Sequence, residues 1–188
     1  MGVPLRVGLS ALAFYLPCGT KKELKPYILD ILELMNQVFR DIYGFVALSE
    51  QEKKELRDRY LMLISPEFVK TVVNDKGILI GFALGIPDLS EGIKKAKGRL
   101  LPFGIFYILR AAKKSRTLLM VLGGILEEYR GQGIDTIMGA KMVESAIKNK
   151  MKTIDSHLVL EDNLPMRGEY ERLGGKVVKR FRVYTKKL

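Results

Sequence analysis

Two short segments hold the residue types that can do chemistry in this chain. The first, Ile125-Leu126-Glu127-Glu128-Tyr129-Arg130-Gly131-Gln132-Gly133-Ile134-Asp135, reads as a strand end, a glycine turn and a helix start. Bare N–H groups at such a turn form an anion-binding nest, and the helix N-terminus reinforces it. The dipole itself contributes only about 0.3–1 kcal/mol per exposed charge, so several convergent N–H bonds must carry most of any binding. Glycine lets a phosphate approach the backbone closely. The second segment runs from Glu161 through Asn163, Pro165, Met166 and Tyr170 to Gly174-Gly175. Asp162 or Asn163 caps a helix there, Pro165 is tolerated in its first turn, and the glycine pair stops it. Tyr170 lies two turns past Asn163 on the same face. A tyrosine with its ordinary pKa of about 10 keeps its proton at neutral pH and can give it to a leaving thiolate. Each segment also has a plain structural reading: a tight strand–helix turn that binds nothing, and a core tyrosine.

The elements that must position these segments are legible from pattern. Thr20-Lys21-Lys22-Glu23 is a capping box, and the apolar stripe after it predicts a helix over 23–42. Ser49-Glu50-Gln51-Glu52 opens a second helix that ends near Ser65-Pro66. Strands at 68–74 and 77–86, joined by Asn74-Asp75-Lys76-Gly77, predict an antiparallel hairpin. Residues 88–115 read as two short helices broken at 98–102. A strand at 116–126, a helix at 134–149, a strand at 152–161, a helix at 163–173 and a final strand at 176–184 complete the chain. Gly123-Gly124 is a place for a β-bulge. The middle strand–helix–strand unit predicts a parallel crossover.

Composition sets outer limits. The chain has 188 residues, 47% of them hydrophobic, and a formal net charge of +11. That supports a real core and points to anionic partners. Its apolar stretches, 77–87 and 118–126, fall well short of the ~20 residues a bilayer-spanning helix needs. One cysteine (Cys18) and one histidine (His157) leave no intrachain disulfide and no thiolate–imidazole cluster for a metal. Residues 7–16 followed by Pro17-Cys18-Gly19 loosely resemble a lipoprotein signal. The proline before the cysteine and the single Arg6 favour a frayed or strand-forming lead-in instead, and the lone cysteine fits a reducing compartment, so a cytoplasmic location is expected.

Together the two segments resemble the acyl-CoA-binding motifs of the GNAT superfamily of N-acyltransferases. Arg130, Gly131, Gln132, Gly133 and Ile134 fit its Q/R-x-x-G-x-G/A signature, and Asn163, Tyr170, Glu171, Leu173 and Gly174 fit its later N-x-x-A-x-x-x-Y-E-x-L-G segment. The region around Gly81 to Gly104 resembles the C-terminal half of uncharacterised bacterial two-domain GNAT-like proteins. The resemblance implies an α/β, GNAT-like fold: a mixed, mostly antiparallel sheet with a central parallel strand pair flanked by helices. It implies a lead-in over 1–19 and one acyltransferase domain over 20–188, with a basic, apolar helical insertion at 88–115. The implied activity is direct transfer of an acetyl or other acyl group from acyl-CoA to a primary amine, carried by a small molecule or a protein. Ile125 and Leu126 would hold the pantetheine arm and thioester, Arg130 to Asp135 the pyrophosphate, and Asn163 would lie near the cofactor thiol. Tyr170 would be the general acid. A homodimer stays open, and no metal is implied.

Two departures from the family pattern stand out. Asp135 replaces a usual Gly or Ala, and Met166 a small residue. The strand at 116–126 carries no carboxylate for a general base. His157, on the next strand beside Asp155, is the candidate base or substrate contact. These departures motivate an alternative: an inactive GNAT-fold binding module whose basic face takes a lipid surface or nucleic acid, the latter disfavoured for want of a recognised motif. The basic insertion itself reads as a solvated rim, a lid over the acceptor site, or an interfacial patch on anionic membrane.

Overall fold

A computed structural model describes residues 5–7, 13–60, 64–100, 103–156, 158–184 and 186. The chain divides into two compact units, Met1–Asp155 and Ser156–Leu188. The first is built on a sheet of six strands in sequence order: β1 (Leu5–Val7), β2 (Ala13–Leu16), β3 (Val69–Asn74), β4 (Leu79–Pro87), β5 (Thr117–Ile125) and β6 (Thr153–Ser156). Pairing is antiparallel from β1 through β5. The segment expected as a lead-in thus supplies two strands, with Ala13–Leu16 paired along 71–74 of β3.

Helix α1 (Lys21–Leu24) opens with the expected capping box: the Glu23 carboxylate accepts from the Gly19 and Thr20 N–H groups, and Glu23 N–H donates to Thr20 Oγ1. The single helix expected over 23–42 is two, because Pro26 lacks the N–H that would continue the ladder. Helix α2 (Tyr27–Phe39) follows it. Helix α3 (Glu50–Tyr60) opens at Ser49, whose N–H donates to Glu52 at 2.8 Å. Its expected end near Ser65 falls partly outside the described residues. Lys53 ties α3 back to α2 through an ion pair with Glu33, and pairs with Glu50 one turn earlier on α3 itself. The Asn36 amide clamps both backbone groups of Leu48 at 2.8 and 2.9 Å, fixing the loop between the two helices.

The β3–β4 hairpin turns where the sequence says. Gly77 takes φ 76°, which only glycine adopts cheaply, and Asn74 Oδ1 accepts from the Lys76 and Ile78 N–H groups. Helix α6 (Ile134–Lys148) covers one sheet face. Ile134, Met138, Met142 and Ala146, at helical spacing, bury against Ala13, Tyr15, Val72, Ile80 and Leu118. The other face takes α1 and α2, with Leu24, Ile28, Ile31, Leu34 and Met35 against Val69, Val73, Leu79 and Phe82.

The bulge expected at Gly123-Gly124 lies elsewhere. Both glycines pair regularly, with Ala83 and Phe82, and the register shift skips Val121. Gly124 serves packing instead: a Cβ there would come 2.6 Å from Val38 Cγ2, so its bareness lets α2 press onto the sheet. After α6 the chain returns to start β6 beside the start of β5. The Lys152 and Thr153 N–H groups donate to Arg116 O at 2.6 and 3.2 Å, and the two threonine hydroxyls at 117 and 153 lie 2.9 Å apart. Two neighbouring strands that enter from the same end through a helix make the parallel pair of a mixed sheet.

Helices α4 (Ser90–Ala96) and α5 (Gly104–Lys114) form between β4 and β5, as expected for 88–115. The second unit contains α7 (Leu164–Arg172). Two strand expectations need correction. The strand expected over 152–161 ends at Ser156, and residues 176–184 form no strand. Their apolar side chains, Val177, Val178, Phe181, Val183 and Tyr184, remain exposed. Strand propensity without a paired neighbour makes no ladder.

Candidate active site

The glycine turn is built as its residue types require. β5 ends at Ile125, a short 3-10 turn covers Glu127–Tyr129, and α6 starts at Ile134. Between them Gly131 and Gly133 hold φ of 73° and 80°, left-handed values that alternate with ordinary residues and aim successive N–H groups to one side. A Cβ at either glycine would meet nothing within 4 Å, so the approach to the backbone is open. Among the described residues the N–H groups of Gly131, Gln132, Gly133, Ile134 and Asp135 donate to no protein acceptor. Five donors at one helix start can hold a phosphate or pyrophosphate.

Side chains brace this turn. Arg130 Nε donates to Ile125 O at 3.2 Å, and Gln132 Nε2 donates to Glu128 O at 2.9 Å. The other Gln132 atom, Oε1, is buried and has no partner among the described residues. A buried carbonyl oxygen left so is costly and ready to accept from a ligand N–H. The backbone groups expected to meet a pantetheine arm are partly engaged: Leu126 N–H donates to Ile80 O, and Leu126 O accepts from Tyr129 N–H. Ile134 is buried in the core beneath the turn. Asp135 stands half-buried in the first turn of α6 and forms no ion pair among the described residues.

In the second unit Asn163 caps α7, its Oδ1 accepting from Met166 N–H at 3.3 Å. The far end closes with Gly174 at φ 79°, Gly174 N–H on Glu171 O and Gly175 N–H on Tyr170 O. That six-to-one and five-to-two pair of bonds is a Schellman stop, and it fixes the backbone at Tyr170. The Tyr170 side chain is half-buried. Burial pushes its phenol above the usual value, with a Ser156 hydrogen bond pulling the other way. It therefore carries its proton at neutral pH. His157 lies outside the described residues. Asp155 is exposed.

Two features escaped the sequence pattern. Lys70, on β3, is only 3% exposed, and its ammonium donates to Glu67 O and Ser145 Oγ, both at 2.7 Å. Burial lowers its pKa to about 8. A cavity of about 60 Å³ between α1, α2 and the sheet is lined only by apolar side chains, among them Ile28, Ile31, Leu84 and Leu122. Cys18 is buried and burial pushes its thiol up, so it is no thiolate nucleophile.

Comparison with known proteins agrees with this architecture. No family model matches the sequence. The aminoglycoside N-acetyltransferase AAC(6')-Iy, solved with CoA, superposes with a TM-score of 0.58 at 13% identity, covering 97% of this chain and 99% of that one. The aminoglycoside 6'-N-acetyltransferase AAC(6')-Ih of Acinetobacter baumannii gives 0.54 at 17% identity, over 94% and 99%. Ard1 of Thermoplasma volcanium gives 0.51 at 13%, over 87% and 82%. The chain thus has the fold of the GNAT acetyltransferases. By sequence it is 27% identical over 162 residues to Protein YghO of Escherichia coli (strain K12), covering 83% of this chain and 41% of that protein. It is 28% identical over 167 residues to the Bacterial ceramide synthase of Caulobacter vibrioides, covering 84% and 42%. The chain therefore spans about two fifths of the length of these curated relatives. Among the described residues no helix is long and apolar enough to cross a membrane.

Proposed function

We propose that the chain is an acyl-CoA-dependent N-acyltransferase domain. The observation that carries the reading is the turn at Gly131 and Gly133, with five unengaged N–H groups at the start of α6 on a GNAT fold. The cofactor's pyrophosphate would take those N–H groups. Gln132 Oε1, without a partner among the described residues, would accept from an amide of the pantetheine arm. The thioester is already activated, so an amine attacks its carbonyl carbon directly. The C–S bond breaks as the C–N bond forms, CoA leaves as thiolate, and Tyr170 protonates it. The amine loses its proton to water or to His157. No covalent enzyme intermediate is required. We take residues 20–188 to act as one such domain, with 88–115 as an insertion.

A ceramide is a fatty amide of a long-chain amino alcohol, and one relative is named for making it. We infer that the amine acceptor here carries an alkyl chain.

Calorimetric titration with acetyl-CoA, a long-chain acyl-CoA and CoA tests the reading. Binding is expected, and Gly133→Glu should abolish it in a protein whose circular dichroism is unchanged. A folded wild-type chain that binds none of the three would overturn the enzyme reading in favour of an inactive module, with Asp135 repelling phosphate. A screen of long-chain amino alcohols against aminoglycosides then decides the acceptor.

A further inference from the structure

An antiparallel strand pair needs only about 2–5 connecting residues. Between β4 and β5 the chain spends residues 88–116 on a helical hairpin instead. Its base is fixed. Asp88 N–H donates to Thr117 O at 2.9 Å, Asp88 Oδ1 accepts from the Ser90 N–H and hydroxyl, and the Ser115 hydroxyl donates to Thr117 O. The hairpin packs on itself through small residues. A Cβ on Gly92 would lie 2.7 Å from Ile108 Cα, and Gly104 sits against Arg99 O. Gly92, Ala96, Gly104 and Ile108 are its buried set.

The large apolar side chains are left outside that core. Leu100, Phe103 and Phe106 are 60%, 67% and 59% exposed, and Ile93, Tyr107 and Leu109 are exposed as well. Phe106, Leu109 and Lys113 recur at helical spacing on the solvent face of α5, with Phe103 one turn before. Around them lie Lys94, Lys95, Lys97, Arg99, Arg110, Lys113 and Lys114, all exposed. Among the described residues Lys94 alone of these seven forms an ion pair, with Glu91. From 89 to 116 the sequence holds eight basic residues against one acid, an excess of seven within a net charge of +11.

We propose that the α4–α5 hairpin docks on an anionic lipid surface, its Phe103–Phe106–Leu109 face entering the acyl boundary and its lysines and arginines meeting the headgroups. The charge argues for this occupant. A second copy seated on the same face would set seven cations against seven. Nucleic acid would suit the aromatic rings but not the aliphatic Ile93, Leu100 and Leu109, which offer no stacking surface. An amphipathic helix with a basic polar side and a Phe/Leu apolar side is what an interfacial anchor requires. Lipid docking of this kind does not depend on acyl transfer, and its test involves no CoA.

The experiment is co-sedimentation with vesicles of phosphatidylcholine alone and of phosphatidylcholine mixed with phosphatidylglycerol. Binding to the mixed vesicles is expected, weakening with salt. Each cation near such a surface contributes about a factor of five in affinity. The triple change Arg110→Gln, Lys113→Gln, Lys114→Gln should therefore weaken binding about a hundredfold. Phe103→Ser with Phe106→Ser should weaken it also. These side chains are exposed, so the fold should survive, and circular dichroism checks it. The chain contains no tryptophan, so Phe106→Trp places a single reporter in the patch. Its emission should shift to the blue and become shielded from iodide on mixed vesicles. The proposal is overturned if the folded chain ignores mixed vesicles, binds neutral ones equally well, keeps full binding in both multiple variants, or holds a short RNA more tightly than lipid. Loss of vesicle binding with CoA binding intact would sink this inference alone, and the reverse result would sink the acyl-transfer reading alone.

Discussion

Single residues decide the chemistry. Under the proposed acyl transfer Tyr170 is the acid, and burial raises its phenol further above the usual value. Tyr170→Phe should lower kcat by about 10²–10⁴ while leaving acyl-CoA affinity within a factor of about two. Steady-state kinetics beside calorimetry checks this, and an unchanged kcat would remove Tyr170 from the mechanism. Lys70 bears on stability rather than catalysis. In the unfolded chain it stays protonated to near its ordinary pKa of 10.5, whereas in the native state it gives up its proton from about 8. Between those values the unfolded state binds more protons, so the Lys70 contribution to stability rises with pH. Below 8 the buried charge is a constant cost. Lys70→Met should therefore be stabilising relative to wild type near neutrality, with the difference shrinking from pH 8 to pH 10.5. Urea midpoints for both proteins across that range measure it, and a constant difference would mean that Lys70 does not titrate there.

Elements are placed by contacts that their own sequences only partly announce. The capping boxes at Thr20 and Ser49 formed as read, because each is a local bond between residues three apart. The glycine pair of β5 was legible as special but not for the right reason. Its second glycine is bare so that Val38 of α2 can approach, a contact between residues far apart in sequence. Gly124→Val should force α2 off the sheet and cost about 1–3 kcal/mol, read as a lower denaturation midpoint. A neutral result would show that Val38 can turn aside. The two helices at 88–115 were legible from composition and from Gly98. That their large side chains face outward was not, since a helix pattern alone does not say which face finds a partner.

At the scale of the whole molecule, the six-stranded first unit and the second unit from Ser156 differ in how they are held. β4 is hydrogen-bonded on both sides and largely buried, whereas 176–184 has neither ladder nor cover among the described residues. Backbone amides of 176–184 should exchange with solvent far faster than those of 79–87. Hydrogen exchange read by mass spectrometry decides this. Slow exchange throughout 176–184 would mean that this strand-like sequence finds a partner in solution. The curated relatives are more than twice as long as the stretch they share with this chain, so the same exchange in a full-length relative is the natural companion measurement.

What the sequence determined by itself is local: caps, the Asn74–Gly77 turn, the left-handed glycines at 131 and 133, and the glycine stop after Tyr170. Each depends on φ preferences and bonds between near neighbours, so a short window contains the cause. The glycine signature and the Asn163-to-Tyr170 spacing were readable for the same reason. Tertiary structure decided the rest. It set the bulge at Val121, recruited the lead-in as strands, made Gly124 a contact point, buried Lys70 and left the α5 aromatics in solvent. Those outcomes turn on which distant surface meets which, and no local pattern carries that information.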